Sequence, residues 1–358
     1  MQREEPRPQL SIIIPTLNEV LALPRLFATL GAQRDVSIEL VVADGGSGDG
    51  TVETARALAG DAPFPVAVDE ARRGRGRQMN AGAAAARAET LLFLHADSLL
   101  PDPGALRAAL DTLGTAIGRR GDDRVAGHFR LRFERSCPSP SLPWRFYERK
   151  ARLHRAGCIH GDQGLLIRRS FFAEAGPYDE ERPILEDVGL AARIAARGEW
   201  LLLPAEVVSS ARRFEVEGLR ERQTLNAILM NFAAIGWEAG IAELVAGYRN
   251  QDRAERLRLA PILRRIEALI GGLPPAERLR LWYATGEYVR GNAWQIPFLL
   301  DVRRRGEKEE TPLLDRHDRW FDRLTDHPPG RLAAALLTWL WFRLTLLREG
   351  AREKKRAG

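Results

Sequence analysis

The sequence predicts an α/β fold: a doubly wound, mostly parallel sheet followed by an all-helical extension. Three observations carry that expectation. Residues 11–14 and 41–43 are apolar runs that stop abruptly at polar, turn-forming clusters. Continuous apolar runs are what strands buried on both faces require. Helical periodicity alternates with such runs through the first hundred residues, and alternation of this kind implies a parallel sheet covered by helices. After Asn250 the pattern changes to arginine- and leucine-periodic helices, broken by Gly271-Gly272 and Pro274-Pro275.

The elements follow in order. Residues 10–14 read as the first strand. Val20, Leu23, Leu26, Phe27 and Leu30 have helical spacing, so strand, crossover helix and second strand fit between Leu10 and Val42. Asp49 or Thr51 can cap a helix running to Ala59. Residues 64–68 read as a short strand, 79–88 as an alanine-rich helix and 90–94 as another buried strand, which ends at His95-Ala96-Asp97-Ser98. Residues 165–167 form a later strand. Glu186-Asp187 starts a helix that turns Leu190 and Ile194 inward and stops at Gly198. Residues 119–160 are rich in Arg, Pro and Ser around Cys137 to Pro143, a proline density that leaves no regular element, and read as a long loop before Trp144. These elements divide the chain into a sheet domain over residues 1–250 and a helical, basic extension over 251–358.

With 45% hydrophobic and 28% charged residues, the composition is that of an ordinary globular chain. Two cysteines, Cys137 and Cys158, supply neither a disulfide framework nor zinc spacing, which suits a reducing cytoplasm. Residues 1–6 contain no apolar signal core, so a cytoplasmic protein is expected. The net charge of +6 belongs to the extension, because residues 251–358 hold 22 basic and 15 acidic side chains. We expect no nucleic-acid partner from this charge. The apolar run over residues 332–347 is shorter than the ~20 residues needed to span a bilayer. It fits packing onto the sheet domain, a homodimer contact or peripheral contact with a membrane.

The polar clusters fall where open α/β sheets bind ligands, past the carboxyl ends of strands. Pro15, Thr16, Asn18 and Glu19 follow the first strand, while Asp44, Gly45 and Ser47 follow the second. Asp44 can accept hydrogen bonds from a base edge or cap its own glycine turn. Glu19 can serve a ligand or a helix dipole. Arg72, Arg73, Arg75 and Arg77 crowd a glycine-bearing loop whose guanidinium groups suit phosphate, or simply face solvent. Gln78 follows directly and counts with Arg75 and Arg77 among the candidate ligand contacts, whereas Asn80 and Gly82 read as packing positions.

Taken together, these motifs resemble the family 2 glycosyltransferases of GT-A fold. The likeness rests on Ile-Pro-Thr-Leu-Asn-Glu19, Asp44-Gly-Gly-Ser-x-Asp-Gly-Thr51, Leu-His-Ala-Asp97, Gly161-Asp-Gln-Gly164 and Glu186-Asp187, in that order. It is strongest to a bacterial subgroup with Gly-Arg-Gly-Arg-Gln-Met-Asn-Ala-Gly82 and Ser-Ala-Arg-Arg-Phe214, and it covers about residues 9–250. The resemblance implies transfer of a sugar from a UDP- or GDP-sugar to an acceptor that the sequence does not identify. Asp44 would then hold the base, Thr16 and Glu19 the base and ribose, and the arginines the diphosphate. Asp187 would be the base of an inverting transfer with Glu186 orienting it, though an acidic pair at a helix start can also cap it. Asp162 and Gln163 would line the acceptor or donor-sugar side, beside a cleft flanked by the 119–160 loop. Arg212 and Arg213 would close on the diphosphate or form a surface ion pair.

His95-Ala96-Asp97 stands where such enzymes carry Asp-x-Asp. Asp97 is then the expected divalent-metal ligand, with His95 either a second ligand or a hydrogen-bonding group. Exchanging a carboxylate for an imidazole favours Mn²⁺ over Mg²⁺. Two alternatives are a nucleotidyltransferase, whose arginine/lysine signature Leu17-Asn18-Glu19 lacks, and a non-catalytic sugar-nucleotide-binding adaptor.

Overall fold

The structure, a computed structural model, describes residues 7–137, 141–182, 184–251, 255–306 and 308–357. Residues 1–6 and Pro138 to Pro140, both used in the sequence reading, lie outside the described residues. Two compact units form: residues 1–134 with 147–210, and residues 135–146 with 211–358. The division drawn at residue 250 differs from this one over residues 135–146 and 211–250.

The first unit is built on seven strands: β1 Leu10–Thr16, β2 Ile38–Asp44, β3 Val66–Glu70, β4 Thr90–Phe93, β5 Val125–Glu134, β6 Leu165–Arg168 and β7 Glu199–Ser210. Their order is β3-β2-β1-β4-β6-β5-β7. β6 runs antiparallel to β4 and β5, and every other pairing is parallel. This is the mostly parallel, doubly wound sheet that the sequence predicts. β1 and β2 pair in register from Leu10↔Ile38 to Thr16↔Asp44, which brings Thr16 and Asp44 side by side at the carboxyl edge.

Helices α1 Leu23–Gly31, α2 Thr51–Asp61, α3 Arg75–Ala85, α4 Ala105–Arg120, α5 Leu142–Lys150, α6 Arg169–Ala175 and α7 Glu186–Arg197 connect the strands. Met79 and Ala83 of α3, Phe171 of α6, and Leu190 and Ile194 of α7 pack with Ile13, Leu91 and Ile167 in one core. Gly82 lets α3 approach β1, because a Cβ there would lie 2.5 Å from Ile13 Cγ2.

Two expectations are corrected. Residues 119–160 are not one loop, since they contain the end of α4, all of β5 and all of α5. The burial of β5 alternates along its second half, a strand signal hidden among its arginines. Pro143 sits in the first turn of α5, where a missing N–H costs nothing. Likewise, α3 begins at Arg75 rather than Met79, so Arg75, Arg77 and Gln78 are helical and not loop residues.

The second unit is helical: α8 Arg212–Glu217, α9 Leu219–Ala234, α10 Glu238–Arg249, α11 Leu259–Gly271, α12 Pro275–Gly291, α13 Gln295–Arg305, α14 Pro312–Arg316, a π-turn His317–Phe321, α15 Asp322–Thr325 and α16 Pro328–Ala357. α12 and α16 run antiparallel and close together. A Cβ on Gly286 would meet Arg331 O at 2.4 Å, and Trp282 stacks edge-on to Phe342.

Candidate active site at the carboxyl edge of the sheet

Two groups of side chains gather here, joined through the first turn of α3. The first lies past β1 and β2. Asp44 is 1% exposed and Thr16 is fully buried. Thr16 Oγ1 donates to Asp44 Oδ2 at 2.9 Å, and Ser47 Oγ donates to the same oxygen at 2.5 Å. The backbone N–H groups of Gly46 and Ser47 donate to Oδ1 at 2.9 and 2.8 Å. Burial alone would raise the pKa of Asp44, but these four donors outweigh it and hold the carboxyl below its ordinary value.

Asn18, at φ 58, ties the first loop to the second. Its N–H donates to Ser47 Oγ at 2.8 Å and its Oδ1 accepts from Gly48 N at 3.0 Å. Asparagine tolerates this left-handed backbone better than most side chains. Glu19 N donates to Thr51 Oγ1, so the backbone of Glu19 also holds the loops together.

Gln78 lies beneath both strand ends. Its Nε2 donates to Thr16 O at 2.6 Å and Ala43 O at 2.8 Å. Gly45 leaves the room for it, since a Cβ there would sit 2.9 Å from Gln78 Cδ. Sequence reasoning placed Gln78 among ligand contacts. In the structure its side chain is a buried brace for two loops.

The second group comes from three further chain segments. Arg75 Nε donates to Glu186 Oε1, and Glu186 is only 2% exposed. Asp187 Oδ2 accepts from Gly161 N at 2.7 Å, and Oδ1 accepts from Val188 N at 2.9 Å. The residue capping α7 is Leu185, at φ 62, so the acidic pair occupies the first two helical positions and is not the cap.

Gly161 is the residue whose importance the sequence understated. A Cβ there would stand 2.9 Å from His95 Nε2 and 3.3 Å from Asp187 Oδ2, so only glycine lets imidazole and carboxylate converge. Tyr178 is also new. It is 5% exposed and packs edge-on to Phe93 at 5.3 Å, and Asn80 pins its backbone through both N–H and C=O. Burial, then Asp187 and Glu186, push its phenol well above the ordinary pKa. No local sequence signal marks Tyr178, because its role depends on distant carboxylates.

The electrostatics of this group are divided. Burial opposes the charge of Asp187, but Arg75, His160, the Gly161 N–H and His95 more than compensate, so its pKa is lowered. Asp162 goes the other way, with burial raising its pKa and Asp187 and Asp97 adding to the rise against His160 and Arg75. Its Oδ1 is buried without a hydrogen-bond partner among the described residues. Burial also works against the charge of Arg75, but Asp187 and Glu186 outweigh it and raise its pKa.

Gln163 Nε2 donates to Cys158 O at 2.7 Å and is buried. Arg77 pairs with Glu181 at 3.0 Å and approaches Glu180 at 4.0 Å. Pro15 lies within β1, and Arg212 and Arg213, both exposed, begin α8 of the second unit.

No group of three or more His, Cys, Asp or Glu side chains among the described residues is arranged to hold a metal ion. A cation nevertheless suits the donor set. Asp162 Oδ1 is an unpartnered buried oxygen, and Asp97 lies near enough to raise the pKa of Asp162. Protein ligands alone would leave such an ion open to oxygens from a bound ligand.

This is the layout of an α/β protein with a candidate ligand site at the carboxyl edge of its sheet, with braced loops at one end and a hydrogen-bonded carboxylate at the other. Comparison with known proteins makes the class specific. Residues 11–173 match the family model Glycosyl transferase family 2. A PGL/p-HBAD biosynthesis glycosyltransferase of Mycobacterium bovis is 30% identical over 182 residues, covering 50% of this chain and 67% of that protein. The succinoglycan biosynthesis protein ExoA of Rhizobium meliloti is 28% identical over 201 residues, covering 52% and 58%. The chain belongs to glycosyl transferase family 2. That membership sets nucleotidyl transfer aside.

Solved structures that it resembles include S. aureus TarS 1-349 with UDP, at TM-score 0.46 and 15% identity over 87% of this chain and 91% of that one. The mannosyltransferase PcManGT of Pyrobaculum calidifontis, with GDP-Man and Mn²⁺, has TM-score 0.46 and 20% identity over 94% and 88%. Likeness this distant assigns no ligand.

Proposed function

We propose that the protein transfers a sugar from a UDP- or GDP-sugar to an acceptor hydroxyl with inversion at the anomeric carbon. The observation that carries this reading is Asp187. It is a carboxylate kept ionised by Arg75, and the Gly161 N–H fixes its orientation. An ionised, immobile carboxylate is what a general base needs before an acceptor hydroxyl attacks. Glu186 orients the group by holding Arg75 in place.

At the other end, the loops of Pro15 to Glu19 and Asp44 to Ser47 receive base and ribose. The base edge reaches Asp44 by taking over the bond now donated by Ser47 Oγ. Asp97, with His95 beside it, would hold a divalent cation, and Mn²⁺ suits a mixed nitrogen–oxygen set better than Mg²⁺. When bound, such an ion neutralises charge on the departing diphosphate. Asp162 and Gln163 face the sugar or acceptor.

The test is a panel of UDP- and GDP-sugars with Mn²⁺, Mg²⁺ or chelator, read by thermal shift and nucleotide release. One donor class should stabilise the protein and be turned over, with the product of opposite anomeric configuration. A donor that shifts the melt but releases no nucleotide under any metal condition overturns the enzyme reading in favour of an adaptor, and no shift with any donor overturns both.

A further inference from the structure

The second unit carries a surface that the transfer reaction does not use. The outward arc of α16 is almost wholly apolar from Leu332 to Leu347. Leu336, Leu337, Leu340, Leu344 and Leu347 are 46–68% exposed, and Trp339 and Trp341 are also exposed. Their positions span roughly half of the helical wheel. The opposite arc, with Ala335, Phe342, Thr345 and Glu349, is buried, and Trp282 of α12 packs on Phe342.

Arg343 is the single charge inside the outward run, and it is paired with Glu267 of α11. Monomeric soluble proteins rarely leave a contiguous apolar surface of this extent uncovered. The same unit also exposes Trp320, Phe321 and Leu324, just before α16.

Charge decides what covers it. Residues 328–357 carry seven arginines and lysines against two glutamates, and the excess is concentrated after Leu347. Arg348, Lys354 and Lys355 are exposed there. A second copy would offer this positive end an extension that is itself net basic, with 22 basic against 15 acidic side chains over residues 251–358. An anionic phospholipid bilayer complements both features, since leucine and tryptophan enter the headgroup boundary while lysine and arginine meet phosphate.

We propose that α16 lies in the plane of an anionic membrane surface and docks the protein there through its Leu332–Leu347 arc. Pro328–Lys355 is long and apolar enough to cross a membrane by length and composition. Spanning fits poorly for two reasons. The apolar stretch covers only about 24 Å against a hydrocarbon core of about 30 Å. Burying the helix in lipid would also strip away its contacts with α11 and α12.

The experiment is co-sedimentation of the full-length protein with vesicles of phosphatidylcholine alone or mixed with phosphatidylglycerol, at low and high salt. Binding should require the anionic lipid and weaken with salt. A triple variant, Leu336→Glu, Leu340→Glu and Leu344→Glu, should lower partitioning roughly tenfold or more. Lys354→Glu with Lys355→Glu alters only the exposed helix end and should cost roughly fivefold per charge on anionic vesicles alone.

Equal binding to both vesicle types, no binding, or unchanged binding by both variants overturns the proposal. So does resistance to alkaline carbonate extraction, which would mean a spanning helix. A dimer in light scattering that the leucine variant splits, without vesicle binding, would identify a second copy as the occupant and overturn it too.

Discussion

The two ends of the candidate site hold their carboxylates in opposite ways. Asp44 accepts four hydrogen bonds, two at each oxygen, and all come from its own turn or the adjoining strand end. That uses the full accepting capacity of a carboxylate. Asp162, Asp187 and Asp97 instead share one neighbourhood in which a buried oxygen of Asp162 has no partner among the described residues. The saturated end is rigid and electrostatically quiet. The other end keeps one unpartnered oxygen, on Asp162, beside two further carboxylates, with Arg75 close enough to offset part of their charge. A fold has no structural reason to gather carboxylates this way, whereas a site that must bind a cation or take a proton does.

The sharpest way to break this contrast is Asp187→Asn, which keeps size and can still accept from Gly161 N–H but cannot take a proton. We expect turnover of the active donor to fall about 10²–10⁴-fold with donor affinity nearly unchanged. Steady-state kinetics and donor titration check this together. Turnover within a few-fold of wild type would remove Asp187 from the chemistry.

Asp44→Ala addresses the quiet end and should have a smaller effect of a different kind. Losing bonds to a charged acceptor costs roughly 1.5–3 kcal/mol. We expect donor affinity to fall about 10–100-fold, and the melting temperature to fall too, because the turn loses its centre. The pH dependence has a definite sign. The folded pKa of Asp44 is depressed, so its contribution to stability is fully present above the ordinary carboxylate pKa of about 4. It is lost as the pH falls through the lower folded value. Denaturation curves of wild type and Asp44→Asn should therefore converge on the acid side. Parallel curves down to pH of about 3 would contradict the bonding described.

This asymmetry also explains what was legible in the sequence. The Asp44 turn is local, with donor and acceptor lying within three residues, and Thr16 arrives through the in-register pairing of two obvious strands. Period-two and apolar-run signals suffice for that. The other end is assembled from Arg75, His95, Gly161, Tyr178 and Glu186-Asp187, whose approach depends on how α3, β4 and α7 pack.

Motif resemblance located most of those positions, but it left the pairing of Arg75 with Glu186 unseen and assigned the guanidinium to phosphate. The start of α3 was missed because Gly74 and Gly76 read as loop. In the fold, Gly76 is there for closeness: a Cβ would come within 3.1 Å of Asp179 O. The leucine arc of α16 was legible as composition. Which arc faces outward needed α11 and α12.

The mildest test reaches the core of the contrast. Asp162→Asn preserves shape and removes one charge from a place where burial, Asp187 and Asp97 already resist ionisation. A group whose folded pKa is raised costs stability when it is forced to ionise, so its neutral isostere should be the more stable. We expect a higher Tm than wild type near neutral pH. Mn²⁺ added to wild type should recover a comparable gain, while the variant should respond less, having lost one of the oxygens that attract the ion. Differential scanning calorimetry with and without metal reads both effects. A drop in Tm for Asp162→Asn would mean that its carboxylate is satisfied after all, and the two ends of the site would no longer differ in the way their hydrogen bonds imply.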